Sequence, residues 1–132
     1  MAGTKTLGTI GEELAIRFLK GKGYAVLDKN FSYRPEGSPQ AAEIDIIAQK
    51  DHILHFVEVK TITQKAGEED AWMPEEKVNY GKQRKIAKAA EIWMNKRKVS
   101  LDRPYQIDVV AIVMNKQTQK ASIRFLENVG WS

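Results

Sequence analysis

Apolar residues recur along this chain at two spacings, one typical of helices and one typical of strands. From Gly8 to Lys20 they recur at helical spacing, which predicts an amphipathic helix ending at the glycines of the segment KGKGY. A second helix is predicted by one apolar stripe on an otherwise charged segment. The stripe consists of Ile86, Ala89, Ala90, Trp93 and Met94.

Five shorter segments are rich in the β-branched and aromatic residues of strands. They are YAVLDKNF (24–31), EIDIIA (43–48), HILHFVEVKTI (52–62), PYQIDVVAIV (104–113) and ASIRFLEN (121–128). The predicted order is therefore α β β β α β β. Because the inner strands are apolar on both faces, helices must cover them, and we predict an α/β fold with a mixed central sheet flanked by helices.

Length and composition narrow the class of protein. The 132 residues are expected to form one domain, residues 1–132, in which the polar stretch 62–76 is a mobile loop. The absence of cysteine excludes disulfides and cysteine-zinc sites, so a metal would need oxygen or histidine ligands. No segment resembles a signal peptide or reaches the ~20 apolar residues of a membrane span, so we expect a cytoplasmic protein that crosses no membrane.

The segments EIDIIA and HILHFVEVKTI are separated by polar residues, which predicts a β-hairpin. Strict alternation sorts the side chains of each strand onto two faces. In the first strand, one face would hold Glu43, Asp45 and Ile47, and the other would hold Ile44, Ile46 and Ala48. In the second strand, one face would hold Phe56, Glu58 and Lys60, and the other would hold Val57 and Val59. With a loop of two or four residues, both carboxylates and Lys60 would emerge on one side of the sheet.

Such an arrangement has a specific chemistry. Two carboxylates held within a few ångströms repel each other unless a proton or a cation lies between them. Mg²⁺ suits this position because it prefers hard oxygen ligands and usually keeps several waters and a substrate phosphate. Lys60 would then orient or help deprotonate an attacking water, which is the chemistry of phosphodiester hydrolysis. The alternative is a solvated sheet face on which the charges only pair with one another.

The spacing of Asp45, Glu58 and Lys60 resembles the PD-(D/E)XK nuclease superfamily, whose core carries an Asp on one strand and Glu-x-Lys on the next. The surrounding chain looks like the YraN-like family of small uncharacterised bacterial proteins, which is similar to archaeal Holliday junction resolvases. The matching segments are GTIGEELAIRFLKGKGYAVLDKNF, EIDIIAQKDHILHFVEVKT, KVNYGKQRKIAKAAEIWM and YQIDVVAIV. This resemblance implies a restriction-endonuclease-like core.

The resemblance also implies roles for the residues of the hairpin. Asp45 and Glu58 would hold a catalytic Mg²⁺ or Mn²⁺, with the backbone carbonyl of Val59 as a further ligand. Lys60 would serve the nucleophilic water. The family usually has glycine where this chain has Ala42, directly before Glu43, so the geometry at that point is an open question.

Two helical residues are added by the same resemblance. Glu12 matches the helical Glu that lies near the metal in the resolvase-like branch, and Gln83 matches a Gln or Lys beside the site. From the residues alone, Glu13 can pair with Arg17 one turn later, whereas Glu12 has no obvious partner. The alternatives are a favourable first-turn charge for Glu12 and a surface position for Gln83.

Positive charge is concentrated in one segment. Between Lys77 and Lys98, eight basic residues and one acid give +7, which leaves −3 for the rest of the chain. Such a segment is suited to nucleic-acid phosphates, although a solvated helix face is the alternative. The predicted phosphate-binding residues are Lys82, Arg84, Lys85 and Lys88. No motif for reading bases is present, so recognition would be of the backbone or of a branched shape.

Three further titratable residues have weaker interpretations. His52 and His55 lie three positions apart, on opposite faces of a strand, so they are poorly placed to chelate a metal and are expected to be exposed or partly buried. Asp108 lies inside an apolar strand and is interpreted as structural or peripheral to the site.

The leading hypothesis is a metal-dependent endonuclease that cleaves structured or branched DNA. A homodimer is expected only by analogy with resolvases, which act on two-fold substrates. The second hypothesis is a non-catalytic nucleic-acid-binding domain that retains a nuclease-like fold. The third is a structural or partner-binding protein with a charged sheet face.

Overall fold

In the computed structural model, residues 6–64 and 80–129 are described, and they form seven elements in the predicted order. The elements are α1 (Leu7–Gly21), β1 (Ala25–Tyr33), β2 (Ala42–Lys50), β3 (Ile53–Gln64), α2 (Tyr80–Lys96), β4 (Tyr105–Asn115) and β5 (Ala121–Leu126). The strands form one sheet in the order β1-β2-β3-β4-β5. Neighbouring strands are antiparallel except β3 and β4, which are parallel. The predicted mixed α/β architecture is therefore confirmed.

The two helices cover opposite faces of the sheet. On the α2 face, the predicted stripe of α2 packs on side chains of β2, β3 and β4, with Phe56 at the centre. On the α1 face, Ala15 and Leu19 of α1 pack on a second cluster that includes Val57 and Val110. Because consecutive residues of β3 enter different clusters, the sheet is buried on both sides, as two covering helices require.

The first helix, α1, begins and ends as its sequence indicates. At the start of α1, the hydroxyl of Thr6 accepts the N–H of Thr9 at 3.1 Å. At its end, Gly23 has φ +94°, and the N–H of Tyr24 returns to the carbonyl of Leu19. The described residues contain no helix long and apolar enough to cross a membrane.

A two-residue turn joins β2 to β3. Lys50 pairs with Ile53, and the residues between them, Asp51 and His52, have φ of +52° and +68°. Two successive positive φ angles are the geometry of a tight hairpin turn whose twist matches that of the strands. The shorter of the two loop lengths considered from the sequence is therefore the observed one.

Strict alternation along β2 is wrong at its beginning. Ile44 and Ile47 both lie in the α2 cluster, whereas Ile46 and Ala48 lie in the α1 cluster. The faces therefore exchange between Ile44 and Ile46, at Asp45. The last ladder pair between β2 and β3 is Ile46 with Val57, so β2 is free to change its twist beyond that pair.

The prediction of a loop at 62–76 is wrong for its first three residues, 62–64, which belong to β3. β3 continues to Gln64, and Ile62 and Thr63 pair with Val113 and Met114 of β4. The rest of the predicted loop, 65–76, lies outside the described residues.

Gly11 sets the distance between α1 and β3. A Cβ at Gly11 would lie 1.8 Å from Thr61 Oγ1 and 2.9 Å from Thr61 Cβ. Rotation of Thr61 removes the first overlap and leaves the second, because the Cβ position is fixed by the backbone of β3. The helix must therefore move for any larger residue to fit.

We expect Gly11→Ala to destabilise the protein by about 1–3 kcal/mol, because it overpacks this contact. Gly8→Ala in the same helix is the matched control, since its nearest neighbour would be Thr6 Oγ1 at 4.0 Å. That change should be neutral or stabilising by up to about 1 kcal/mol. Urea unfolding of both variants measures the difference, and equal stabilities would contradict the tight contact.

Candidate metal centre

Asp45 lies where β2 separates from β3. Its Oδ2 accepts the backbone N–H of Val59 at 2.7 Å, so the carboxylate bonds the backbone of β3 beyond the last ladder pair. The side chain borders two cavities, one next to α2 and one next to the start of α1. Asp45 thus lies at the open end of the hairpin, with one cavity on each face of the sheet beside it.

The cavity next to α2 brings together four of the site residues predicted on the hairpin. Its volume is about 600 Å³, and its lining includes Asp45, Glu58, Val59 and Lys60. Glu58 is buried, with 8% of its surface exposed, and its Oε1 is 3.1 Å from Lys60 Nζ. Residues two apart on β3 share a face, so this ion pair follows directly from the Glu-x-Lys spacing.

The pKa of Asp45 is raised from 3.8 to about 6. Burial of the carboxyl group is the largest cause, and the hydrogen bond from Val59 acts in the opposite direction. The negative charges of Glu58, Glu12 and Glu43 raise the pKa further. Burial and the neighbouring acids together outweigh the hydrogen bond from Val59, which favours a proton or a cation beside Asp45.

The donors present fit a small divalent cation. Mg²⁺ typically uses one or two carboxylates, with waters and substrate phosphates completing its coordination. Asp45 and Glu58 supply two carboxyl groups in one cavity, and Val59, whose backbone carbonyl is the predicted further ligand, borders the same cavity. Within residues 6–64 and 80–129, no three His, Asp or Glu side chains converge as a ready-made metal site, so water and substrate would have to supply the remaining ligands.

Glu12 lies in the second cavity, on the other side of Asp45 from Glu58. This cavity has a volume of about 340 Å³ and is bordered by Glu12, Asp45, Val59 and Thr61, among other residues. The sequence suggested no partner for Glu12, but its Oε1 accepts from Asn30 Nδ2 at 3.0 Å. Its charge acts on Asp45, and its role as a metal ligand stays a prediction.

The predicted phosphate-binding residues lie along α2. Arg84, Lys85 and Lys88 are exposed, and Lys85 borders the same cavity as the two carboxylates. Gln83 is half-buried at the start of the helix, next to Arg84, and its predicted place beside the metal stays a prediction. The side chain of Lys82 lies outside the described residues.

The residues before Asp45 adopt ordinary strand geometry. Ala42 pairs with Tyr33 of β1, and its side chain is buried in the α2 cluster, so a glycine is not required at this position. Glu43 is exposed and borders the cavity of the carboxylates. The contact that the sequence did not reveal is made by Gln40, whose Oε1 accepts from Lys85 Nζ at 3.0 Å.

His55 and Asp108 form a buried pair elsewhere in the sheet. His55 is 4% exposed, so the expectation of an exposed or partly buried residue is wrong, whereas His52 is exposed as expected. His55 Nδ1 is 2.6 Å from Asp108 Oδ2, and Asp108 Oδ1 accepts the N–H of Asn128 at 2.8 Å. Asp108 therefore has the structural role that was one of its two interpretations.

Comparison with known proteins identifies relatives over most of the chain. The model of "Uncharacterised protein family UPF0102" matches residues 11–112. A UPF0102 protein of Geotalea uraniireducens is 41% identical over 112 residues, which cover 85% of this chain and 80% of the relative. A UPF0102 protein of Fervidobacterium nodosum is 42% identical over 128 residues, with coverages of 92% and 80%. For a UPF0102 protein of Dictyoglomus turgidum the identity is 33% over 124 residues, with coverages of 94% and 96%.

Proposed function

The chain belongs to the uncharacterised protein family UPF0102, and we propose that it is a metal-dependent endonuclease acting on structured or branched DNA. The predicted YraN-like family is confirmed by this membership. The proposed activity rests on the site, because the names of these relatives give the family alone.

One observation carries the proposal. The buried carboxylate Glu58, its ion-pair partner Lys60 and the carboxyl of Asp45 with its raised pKa line one cavity, which also reaches Lys85 on the basic helix. A solvated sheet face would leave its carboxylates exposed. A buried carboxylate next to a carboxyl group with a raised pKa, in a cleft beside basic residues, is instead typical of sites that bind metal and act on phosphates.

Each side chain has a distinct task in this account. Asp45 and Glu58 would hold Mg²⁺ or Mn²⁺, and when bound this ion would supply positive charge to the scissile phosphate. Lys60, held by Glu58 on the same strand face, would orient the attacking water and stabilise charge that develops on the phosphate. Arg84, Lys85 and Lys88 would contact neighbouring phosphates of the DNA backbone.

A non-catalytic nucleic-acid-binding domain is the rival function, and the exposed basic residues of α2 favour it equally. Both functions predict DNA binding that weakens steeply with salt, because both rely on phosphate contacts. Only the nuclease predicts that a divalent cation produces strand cleavage, so cleavage separates them.

Lys60→Ala should slow Mn²⁺-dependent cleavage by roughly 10²- to 10⁴-fold, the usual contribution of a positioned acid-base group. The assay compares linear, flapped, single-stranded and four-way DNA, and we expect the branched substrates to be cut fastest. Lys120→Ala, which removes an exposed lysine before β5, is the matched control and should keep full activity. The absence of cleavage by the unmutated protein on every substrate would favour the non-catalytic rival.

A further inference from the structure

A second cavity on the α2 face adjoins the candidate metal centre. It lies between α2, the end of β1 and the segment that leads into β2, and its volume is about 550 Å³. This volume falls within the ~300–1,000 Å³ of pockets that hold small organic molecules. We call this cavity the groove. Its lining includes Tyr33 of β1, Gln40 of the segment that leads into β2, and Arg84, Lys85 and Lys88 of α2.

The groove and the candidate metal centre share one wall. Gln40, Ala42 and Lys85 border both cavities, so no further layer of protein separates them. The wall is held in place by two contacts: Lys85 Nζ donates to Gln40 Oε1 at 3.0 Å, and Ser38 Oγ donates to the carbonyl of Gln40 at 2.9 Å. One strand of a nucleic acid could therefore place a phosphate at the carboxylates and an adjacent part of the same strand in the groove.

The lining of the groove combines two kinds of chemistry. Most of its surface is apolar and includes Tyr33, which is half-buried, and the small side chains of Pro35 and Ala87. Its basic edge consists of Arg84, Lys85 and Lys88, while Glu91 is the one acid of the lining among the described residues. A ligand for such a site needs a flat apolar part to lie against the ring and a strong negative charge for the basic edge, and a nucleotide supplies both.

We propose that the groove binds an unpaired nucleotide base next to the phosphate at the metal centre, a proposal that rests on the proposed nuclease function. A base inside a duplex stacks on its neighbours and pairs across the helix, so its faces are not available to Tyr33. A base at a flap, a loop or a branch point can leave the stack at low cost. The preferred substrate is therefore a strand with unpaired bases at the cleavage position.

The test measures how affinity depends on the bases themselves. A short thymidine oligonucleotide is compared with an abasic oligonucleotide of the same length, which keeps every phosphate and lacks every base. Binding is followed by fluorescence anisotropy in EDTA, so hydrolysis does not interfere. The unmutated protein should bind the abasic strand roughly 5- to 150-fold more weakly, the effect of losing base stacking on an aromatic ring.

Variants of Tyr33 test whether this residue causes the difference in affinity between the two strands. Tyr33→Ala should remove most of the difference between the two strands by weakening the thymidine strand alone, whereas Tyr33→Phe keeps the ring and should keep the difference. Phe31→Ala is the matched control, because Phe31 is a half-buried aromatic residue of the same strand outside the groove lining. It should leave the difference unchanged.

Three results would overturn the groove proposal: equal affinity of the unmutated protein for both strands, no binding of either strand, or equal weakening of both by Tyr33→Ala. Failure of the nuclease proposal has a different signature. Base-dependent binding without Mn²⁺-dependent cleavage would support the groove and contradict the nuclease. Cleavage with base-independent binding would support the nuclease and contradict the groove.

Discussion

Asp45→Asn is expected to abolish Mn²⁺-dependent cleavage and, in the absence of metal, to stabilise the folded protein. Cleavage is lost because the carboxylate that would hold the cation is replaced by a neutral amide. Stability rises because Asp45 is partly buried beside other acids, where its ionised form is unfavourable, while an amide oxygen can still accept the N–H of Val59. Stabilisation together with loss of activity is characteristic of a functional site.

The size and pH dependence of this stabilisation follow from the pKa of Asp45. Folding raises this pKa from 3.8 to about 6, so the folded protein holds its proton more tightly than the unfolded chain. The stability of the unmutated protein should therefore fall as pH rises through this interval, by up to about 3 kcal/mol in total. Below the interval both states are protonated, and the two proteins should differ little.

Urea unfolding in EDTA at several pH values measures this effect. The unmutated protein should become less stable between pH 3.8 and 6, whereas Asp45→Asn should not show this decrease. Above pH 6, Asp45→Asn should therefore be more stable than the unmutated protein. Glu36→Gln is the matched control, because Glu36 is exposed and lies outside the cavities around Asp45. A destabilised Asp45→Asn at pH 7 would show that the ionised carboxylate supports the fold.

Asp108→Ala is expected to destabilise the protein by about 3–5 kcal/mol, enough to unfold a protein of marginal stability. The carboxylate is fully buried and accepts hydrogen bonds from the N–H of Asn128 and from Gln106, in addition to its contact with His55. Its removal leaves the buried His55 and the N–H of Asn128 without their acceptor and creates a cavity between the strands.

The control for this change is Asp102→Ala, which removes an exposed aspartate from the turn before β4. Its effect on thermal unfolding should lie within about 0.5 kcal/mol. At a temperature where Asp108→Ala remains folded, its cleavage rate should match that of the unmutated protein, because Asp108 does not border the candidate metal centre. Loss of cleavage in a folded Asp108→Ala would place this residue in the site.

Local patterns were sufficient to predict most of the fold. The apolar stripe of α2 and the hairpin with its short turn depend on residues close in sequence, and both are observed. The Glu-x-Lys spacing likewise placed Glu58 and Lys60 on one face of β3, because that strand alternates regularly along its paired length. Unbroken pairing with β4 from Leu54 to Gln64 is what keeps β3 in this period of two.

Features that depend on distant residues were missed. Alternation fails at Asp45 because β2 leaves β3 there, and no residue of β2 alone indicates where the pairing ends. His55 was expected to be exposed or partly buried because the acid that permits its full burial, Asp108, lies 53 positions later. The groove was equally hidden, since it exists only where the segment around Gln40 meets Lys85 of α2.

Calorimetric titration with Mn²⁺ tests the central claim most directly, because it measures the metal centre without depending on the choice of substrate. The unmutated protein should show one saturable binding event, and the double variant Asp45→Asn, Glu58→Gln should show none while remaining folded. No saturable Mn²⁺ binding by the unmutated protein, or equal binding by the double variant, would contradict the account.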